Sequence, residues 1–186
     1  MDRILVASSN DKATAMLVSL LKETFPTCKT SIAATGLETR RAVGSGSYDC
    51  VVINCPLSDE YGNELAEIVC TSTDASCVAI AKSENADKLE DFGVMVIPKP
   101  LGRQYFYRSM KFVSAARKRM LGIRSENLKL HKKLEEIRTI NRAKCSLMQY
   151  LGFTEQQAHK YLEKQAMDKR CTKIEVAQKV IEMYEV

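Results

Sequence analysis

The sequence predicts an α/β doubly wound, five-stranded parallel sheet, followed by a long coiled-coil helix and a small three-helix bundle. Three observations lead there. Short, continuously apolar runs alternate with helix-spaced stretches through the first hundred residues. Apolar residues then recur at alternating three- and four-residue spacing from Val113 to Ile137. Two capping-box sequences, Thr154-Glu-Gln-Gln157 and Thr172-Lys-Ile-Glu175, punctuate the last fifty residues.

Taken in order, Ile4-Leu5-Val6-Ala7 reads as a buried strand and Asn10-Asp11 as a helix N-cap region. Residues 12–24 are helical by the spacing of Ala13, Met16, Leu17, Leu20 and Leu21, and Pro26 stops that helix. A weaker strand is expected near 28–33, then a helix over 36–45 ended by Gly44-Ser-Gly46. Cys50-Val51-Val52-Ile53 is a second clear strand, and a loop at 55–61 leads to a helix over 62–71. Val78-Ala79-Ile80-Ala81 is a strand, 84–92 a short helix, and Val94-Met95-Val96-Ile97 the last strand. Strands this continuously apolar suit a sheet covered on both faces.

The 186 residues are 45% hydrophobic and 27% charged, which excludes a wholly disordered chain. No run reaches the roughly 18 apolar residues of a membrane span, and Met1-Asp2-Arg3-Ile4 has no signal-peptide pattern. No membrane association and a cytoplasmic location are therefore expected. The seven cysteines (Cys28, Cys50, Cys55, Cys70, Cys77, Cys145, Cys171) never fall as C-x-x-C, and only two histidines accompany them. That argues against a disulfide framework or a structural zinc site, and no cofactor or metal is expected. The thiols read as plain buried or half-buried groups, with a redox role weighed and set aside for Cys55. Charge is divided: residues 1–101 hold 9 Lys/Arg against 14 Asp/Glu, residues 102–186 hold 19 against 9. The basic second part favours a polyanionic partner; the plainer reading is solvated lysines on long helices.

In a doubly wound sheet, sites form at the carboxyl ends of the strands, near the switch point. Those ends are Ala7-Ser8-Ser9, Asn54, Ala81-Lys82 and Pro98-Lys99-Pro100. Over residues 2–101 the chain resembles the receiver domain of bacterial response regulators, which has the receiver/flavodoxin-like fold. Tyr48-Asp49-Cys-Val-Val-Ile-Asn54-Cys-Pro-Leu resembles the segment that ends in the phosphoacceptor, and Ile97-Pro98-Lys99-Pro100 the Lys-Pro after the fifth strand, a bond often cis in that family. The resemblance implies an acidic metal-holding pair where this chain has Ser8 and Ser9, and a phosphoacceptor aspartate where it has Asn54. It implies a hydroxyl residue where this chain has Ala81 (Lys82 or Ser83 in a shifted register). Only Lys99 keeps the family's residue. Magnesium requires hard, anionic oxygens, and an amide forms no acyl phosphate, so a degenerate phosphorylation site is expected. Asp49 lies before its strand and Asp59 in the loop beyond it, so neither replaces Asn54. Lys99 is expected to bond Asn54 and nearby carbonyls, the alternative being a small anion or ligand in the vacated pocket.

The apolar repeat reads as an a/d heptad through Val113, Ala116, Met120, Ile123, Asn127, Leu130, Leu134, Ile137 and Asn141. Asparagine at a positions favours a parallel dimer, so Met120, Ile123, Asn127, Leu130, Leu134 and Ile137 are the expected dimerisation residues. A helix from 102 to 151 would reach about 70 Å at 1.5 Å per residue, and one so long needs a partner. The flanking positions are mostly basic (Arg117, Arg119, Arg124, Lys133, Arg138, with His131 and Glu126), which weakens a homodimer and makes it salt-dependent. The rival reading packs the helix on the first domain.

After Gly152, helices are expected over 155–168 and 173–184, with a core from Ala143, Leu147, Met148 and Leu151, Ala158, Tyr161, Leu162 and Ala166, and Ile174, Ala177, Val180 and Ile181. Ala143-Lys144-Cys-Ser-Leu147-Met148, Gly152-Phe153-Thr154-Glu155, Ala158, Tyr161-Leu162, Ala166-Met167 and Val176-Ala177 resemble the ANTAR domain, the RNA-binding output domain of certain transcription antitermination regulators. The resemblance spans about 127–181. Cys145-Ser146 stands where the family more often has Gly, and His159 where it often has Phe. The resemblance implies a dimer that binds two short hairpins in a nascent leader transcript and so prevents a terminator from forming. Independently, Arg142, Lys144, Lys160, Lys164, Lys169 and Arg170 crowd this region and suit phosphate contact. Lys144 is the foremost candidate, and His159 is either a stacking or a surface residue.

The expected organisation is a pseudo-receiver over 1–101, a dimerisation helix over 102–141 and an ANTAR domain over 127–186 that overlaps the helix end. A regulatory protein partner or small ligand replaces phosphorylation. The other readings are a protein-interaction adaptor or DNA-binding regulator working through the basic helices, and an enzyme. The sequence contains no nucleophile–base pair, metal cluster or G-x-x-x-x-G-K-[ST] loop to support the last.

Overall fold

A computed structural model describes residues 1–82 and 86–184. The chain divides into two compact units, Met1–Met120 and Leu121–Val186.

In the first unit, β1 (Arg3–Ala7), α1 (Asp11–Thr24), β2 (Lys29–Ala33), α2 (Gly36–Ser45) and β3 (Cys50–Asn54) lead to α3 (Asn63–Ser72), β4 (Ser76–Ala81), α4 (Ala86–Glu90) and β5 (Met95–Pro98). All strand pairs are parallel, in the order β2-β1-β3-β4-β5. The chain runs outward from β1 to β2 and returns to β3, so the switch point lies between β1 and β3. Successive strand residues face opposite sides. Leu5, Val51, Ile53 and Ala79 pack with Leu65 and Val69 of α3 and Leu89 of α4. Ile4, Val6, Val52, Val78 and Ile80 pack with Leu17 and Leu21 of α1 on the other face.

Local chemistry fixes the element ends. The Asn10 side chain accepts from Ala13 N–H at 3.0 Å and starts α1. Thr35 does the same for α2 through Glu38 N–H at 3.1 Å. Gly62, with φ 109°, turns the chain into α3; a Cβ there would meet Cys55 Sγ at 3.0 Å. Of the helix expected at 84–92, the described part is Ala86–Glu90; Ser83, one alternative for the hydroxyl position, lies outside the described residues.

Helix α5 runs unbroken from Arg103 to Leu151. Phe106, Met110 and Val113 join the α1-side core of the first unit. Burying such side chains contributes about 1.5–3 kcal/mol each, so the first three turns of α5 are part of that fold. From Lys118 to Glu135 every residue is exposed.

In the second unit, the end of α5 packs with α6 (Glu155–Asp168) and α7 (Lys173–Tyr184). Gly152, with φ 66°, ends α5. Both capping boxes form: Thr154 Oγ1 accepts from Gln157 N–H while Gln157 Oε1 accepts from Thr154 N–H, and Thr172 with Glu175 repeats the exchange. The core is Ala143, Leu147, Ala158, Leu162, Ala166, Val176, Ala177 and Val180. Four alanines bring the helices close and narrow the buried stripe. Met148, Leu151 and Tyr161, expected inside, are therefore left at the surface, while Val176 is drawn in. Among the described residues, no helix is long and apolar enough to cross a membrane.

Candidate functional site

The carboxyl ends of the strands gather Ser8, Ser9, Asn54, Ala81 and Lys99 at one end of the sheet, with Asn54 beside Ile80 and Ala81 beside Pro98 in register. Ala81 ends β4 and is fully buried; Lys82, next in line, is exposed. The polar groups bond to one another or to backbone. Asn54 Nδ2 donates to Ser8 Oγ at 3.1 Å. Ser9 Oγ donates to Ala34 O at 2.6 Å and accepts from Ser58 N–H at 2.8 Å, tying three loops together. Lys99 Nζ donates to Cys55 O at 2.5 Å rather than to Asn54, whose amide is turned toward Ser8. Partial burial holds the Lys99 ammonium below its ordinary pKa, reinforced by Lys82 and opposed by Cys55. The Lys99–Pro100 and Cys55–Pro56 bonds are both cis.

Among the described residues, the neighbouring carboxylates are committed elsewhere. Asp59 accepts from Gly36 and Leu37 N–H at the start of α2, and the Gly36 bond chiefly holds it below the usual carboxylate range. Glu60 forms a two-point pair with Arg40. Asp49 lies at the other end of β3. There it accepts from Asp2 and Arg3 N–H and pairs with Arg117 Nη2 at 3.1 Å. A divalent cation needs anionic oxygens; Ser8, Ser9 and Asn54 are neutral and already bonded, so they do not fit magnesium. Among the described residues, no group of three His, Cys, Asp or Glu could hold a metal.

The second candidate lies in the second unit. Lys160 and Lys164 stand one turn apart on the exposed face of α6. Lys169 and Arg170 are exposed at the turn into α7, where Arg170 has φ 50°, a left-handed conformation usually left to glycine. Arg142 is exposed on α5. Lys144 is different: its side chain is 15% exposed and its ammonium pairs with Glu155 Oε1 at 3.0 Å, linking α5 to the first turn of α6. His159 Nε2 lies 3.3 Å from Glu163, which also holds Lys173 at 2.5 Å. Lys173 chiefly depresses the Glu163 pKa.

Two aromatic pairs lie in the same unit: Tyr150 stacks on Tyr184 at 5.4 Å and Phe153 meets Tyr161 edge-on at 5.8 Å. The sequence marks these four as the aromatics near the basic cluster, but each pair joins two different segments, and no local spacing signals the pairing. Of the heptad residues, Met120, Ile123, Leu130, Leu134 and Ile137 are 45–66% exposed, and Asn127 is exposed between them. Arg117, read as a flanking charge of that seam, instead faces Asp49 with its side chain 14% exposed.

The family profile of the ANTAR domain matches residues 128–181. No curated protein matches the chain. Among solved structures, a two-component response regulator from Clostridium difficile is 19% identical, with TM-score 0.56, over 62% of this chain and 97% of its own. The response regulator TrrA from Thermotoga maritima, in complex with Mg²⁺ and BeF, is 23% identical, with TM-score 0.54, over 61% and 99%. The chemotaxis response regulator CheY4 of Vibrio cholerae is 15% identical, with TM-score 0.54, over 61% and 98%. The chain thus joins a fold shared with these response-regulator structures to a segment, residues 128–181, that matches the ANTAR domain.

Proposed function

We propose that this protein is a dimeric RNA-binding transcription antiterminator. It binds hairpins in nascent leader transcripts and is controlled without aspartyl phosphorylation. The observation that carries the reading is the ANTAR match at 128–181 falling on a unit whose turn and outer helix face are basic. Lys160, Lys164, Lys169, Arg170 and Arg142 engage phosphates, with His159 at the edge of that surface. Lys144 contributes once RNA competes with Glu155 for its ammonium. The work is divided among a pseudo-receiver over 1–101, a dimerisation helix over 102–141 and an ANTAR domain over 127–186. No step is enzymatic, and the site of action is the cytoplasm, where leader transcripts emerge.

Control without phosphorylation is supported by the sheet-end cluster, where Asn54 bonds Ser8 and, among the described residues, the nearby carboxylates Asp59 and Glu60 are bonded elsewhere. A regulatory protein or small ligand then supplies the signal. Acetyl phosphate with Mg²⁺ should leave the protein unmodified, and Asn54→Asp alone should not restore an acid-labile phosphate, because Ser8 and Ser9 still hold no metal.

The deciding experiment is a salt titration of binding to a two-hairpin RNA and to duplex DNA of the same sequence. RNA-selective affinity that falls with salt is the expected result. Lys144→Ala should weaken it and Glu155→Gln, which frees the ammonium, should not. Equal binding to RNA and DNA, indifferent to these changes, would overturn the reading in favour of a DNA-binding regulator or an adaptor for acidic partners.

A further inference from the structure

Cys70 stands near the end of α3 and Cys77 near the start of β4, on either side of the turn at 73–75. Cys77 is buried in the sheet face that α3 covers, and Cys70 is half-buried at its margin. Both line a cavity of about 500 Å³, together with Phe92, Val94, Met95 and Phe112. Phe92 and Phe112 are exposed, so the cavity reaches solvent beside the pair.

Other core thiols are inert. Burial pushes Cys50 up to about 12 and Cys55 up to about 11, which keeps both protonated. Cys70 departs from them. The neighbouring Cys77 holds its thiol below the ordinary cysteine range despite partial burial, and Cys70 together with burial holds Cys77 well above it. Half-buried Cys70 is the sulfur an oxidant reaches first and buried Cys77 the one left to resolve, a division suited to attack by the first and resolution by the second.

We propose that Cys70 and Cys77 form a redox-responsive dithiol, which a hydroperoxide converts to an intramolecular disulfide through the solvent-reaching cavity that both line. The Cys70 thiolate attacks the outer peroxide oxygen. The O–O bond breaks, the inner oxygen leaves and is protonated, and Cys70 becomes a sulfenic acid. Cys77 sulfur then attacks Cys70 sulfur, and the S–O bond breaks. The hydroxyl departs with the Cys77 proton as water. Two electrons have passed from the two thiols to the peroxide. In a reducing compartment such a bond is transient and signalling rather than structural. It would close beside Phe112 and Val113, which line the same cavity from α5.

The test treats the reduced full-length protein with hydrogen peroxide. Intact mass should fall by two hydrogens. Cleavage after Asp and Glu, where Asp74 separates the two cysteines, should return Cys70 joined to Cys77 in a reducible pair. Cys77→Ala should stop at a Cys70 sulfenic acid trapped by a cyclic dione. Cys70→Ser, at a half-buried position, should give neither product, which keeps the test independent of any folding defect in the core variant. A disulfide joining other cysteines, or a Cys70 that resists peroxide while exposed Cys145 reacts, would overturn the proposal.

Discussion

Arg170 occupies a conformation that L side chains adopt at a cost of about 1–2 kcal/mol. Its neighbours close the end of α6 through Lys169 N–H to Gln165 O at 3.1 Å and Cys171 N–H to Ala166 O at 3.0 Å, a turn that glycine would make without strain. A long basic side chain kept there points to use of the charge. Arg170→Gly should raise stability by up to about 1 kcal/mol in thermal unfolding. It should also weaken RNA binding and flatten its salt dependence by about one phosphate contact. Unchanged RNA binding would assign Arg170 to the turn alone. Asp49 shows the opposite economy. Burial pushes its pKa up, but Asp2 and Arg3 N–H and the Arg117 guanidinium outweigh that and hold it below the usual carboxylate range. A depressed pKa means stability that is present above the unfolded value of about 3.9 and is lost as pH falls through the folded one. Asp49→Asn should therefore cost about 1–2 kcal/mol at neutral pH, and the gap to the wild type should close on acidification. A gap independent of pH in chemical denaturation would mean that the carboxylate charge contributes nothing.

Helix ends in the second unit rest on few residues, and among the described residues its buried core is eight side chains, four of them alanine. Losing a cap should therefore be felt across the whole unit. Thr154→Ala removes one of the two bonds that start α6 and should destabilise the unit by about 0.5–2 kcal/mol. Hydrogen exchange should show faster amides in α6 and its packing partners and no change in β1–β5; protection lost throughout the chain would contradict this. These caps were legible because a capping box is local: four consecutive residues hold the whole signal. Four of the five strands were legible for the same reason, each holding a short apolar run such as Cys50–Ile53, whereas β2, Lys-Thr-Ser-Ile-Ala, was only weakly marked. What escaped was relational. The redirected Lys99 bond depends on which way the Asn54 amide turns, and the exposure of Met148, Leu151 and Tyr161 depends on how closely alanines let helices approach. Arg117 sits at a heptad flank by spacing, but its partner Asp49 is 68 residues away. No periodicity carries that distance.

At the scale of the whole molecule, the stretch from Lys118 to Glu135 is helical yet exposed on every side. An isolated helix gains little from propensity alone; most helical stability in proteins comes from packing an apolar face. Met120, Ile123, Leu130, Leu134 and Ile137 offer such a face, and in the proposed dimer a second copy with the same seam would set Asn127 against its own mate. Flanking charge opposes this association less than spacing suggested, because Arg117 is paired with Asp49 and Arg138 with Glu135 at 2.6 Å. Arg119 and Lys133 still repel across a parallel pair, and added salt screens them. Two steps in the proposed activity therefore respond to salt with opposite sign: dimerisation strengthens as like charges are screened, while RNA binding weakens as counterions compete for the phosphates. Light scattering should find a dimer that tightens from low to moderate salt, and a monomer for Leu130→Asp/Leu134→Asp at every salt concentration. That variant should keep its sheet and its three-helix core, both formed within one chain. It should bind a single hairpin like the wild type but lose the added affinity for two linked hairpins, which requires both copies at once. A wild type that stays monomeric throughout, or a double variant that grips two hairpins undiminished, would remove the dimer from the mechanism and leave each chain to read RNA alone.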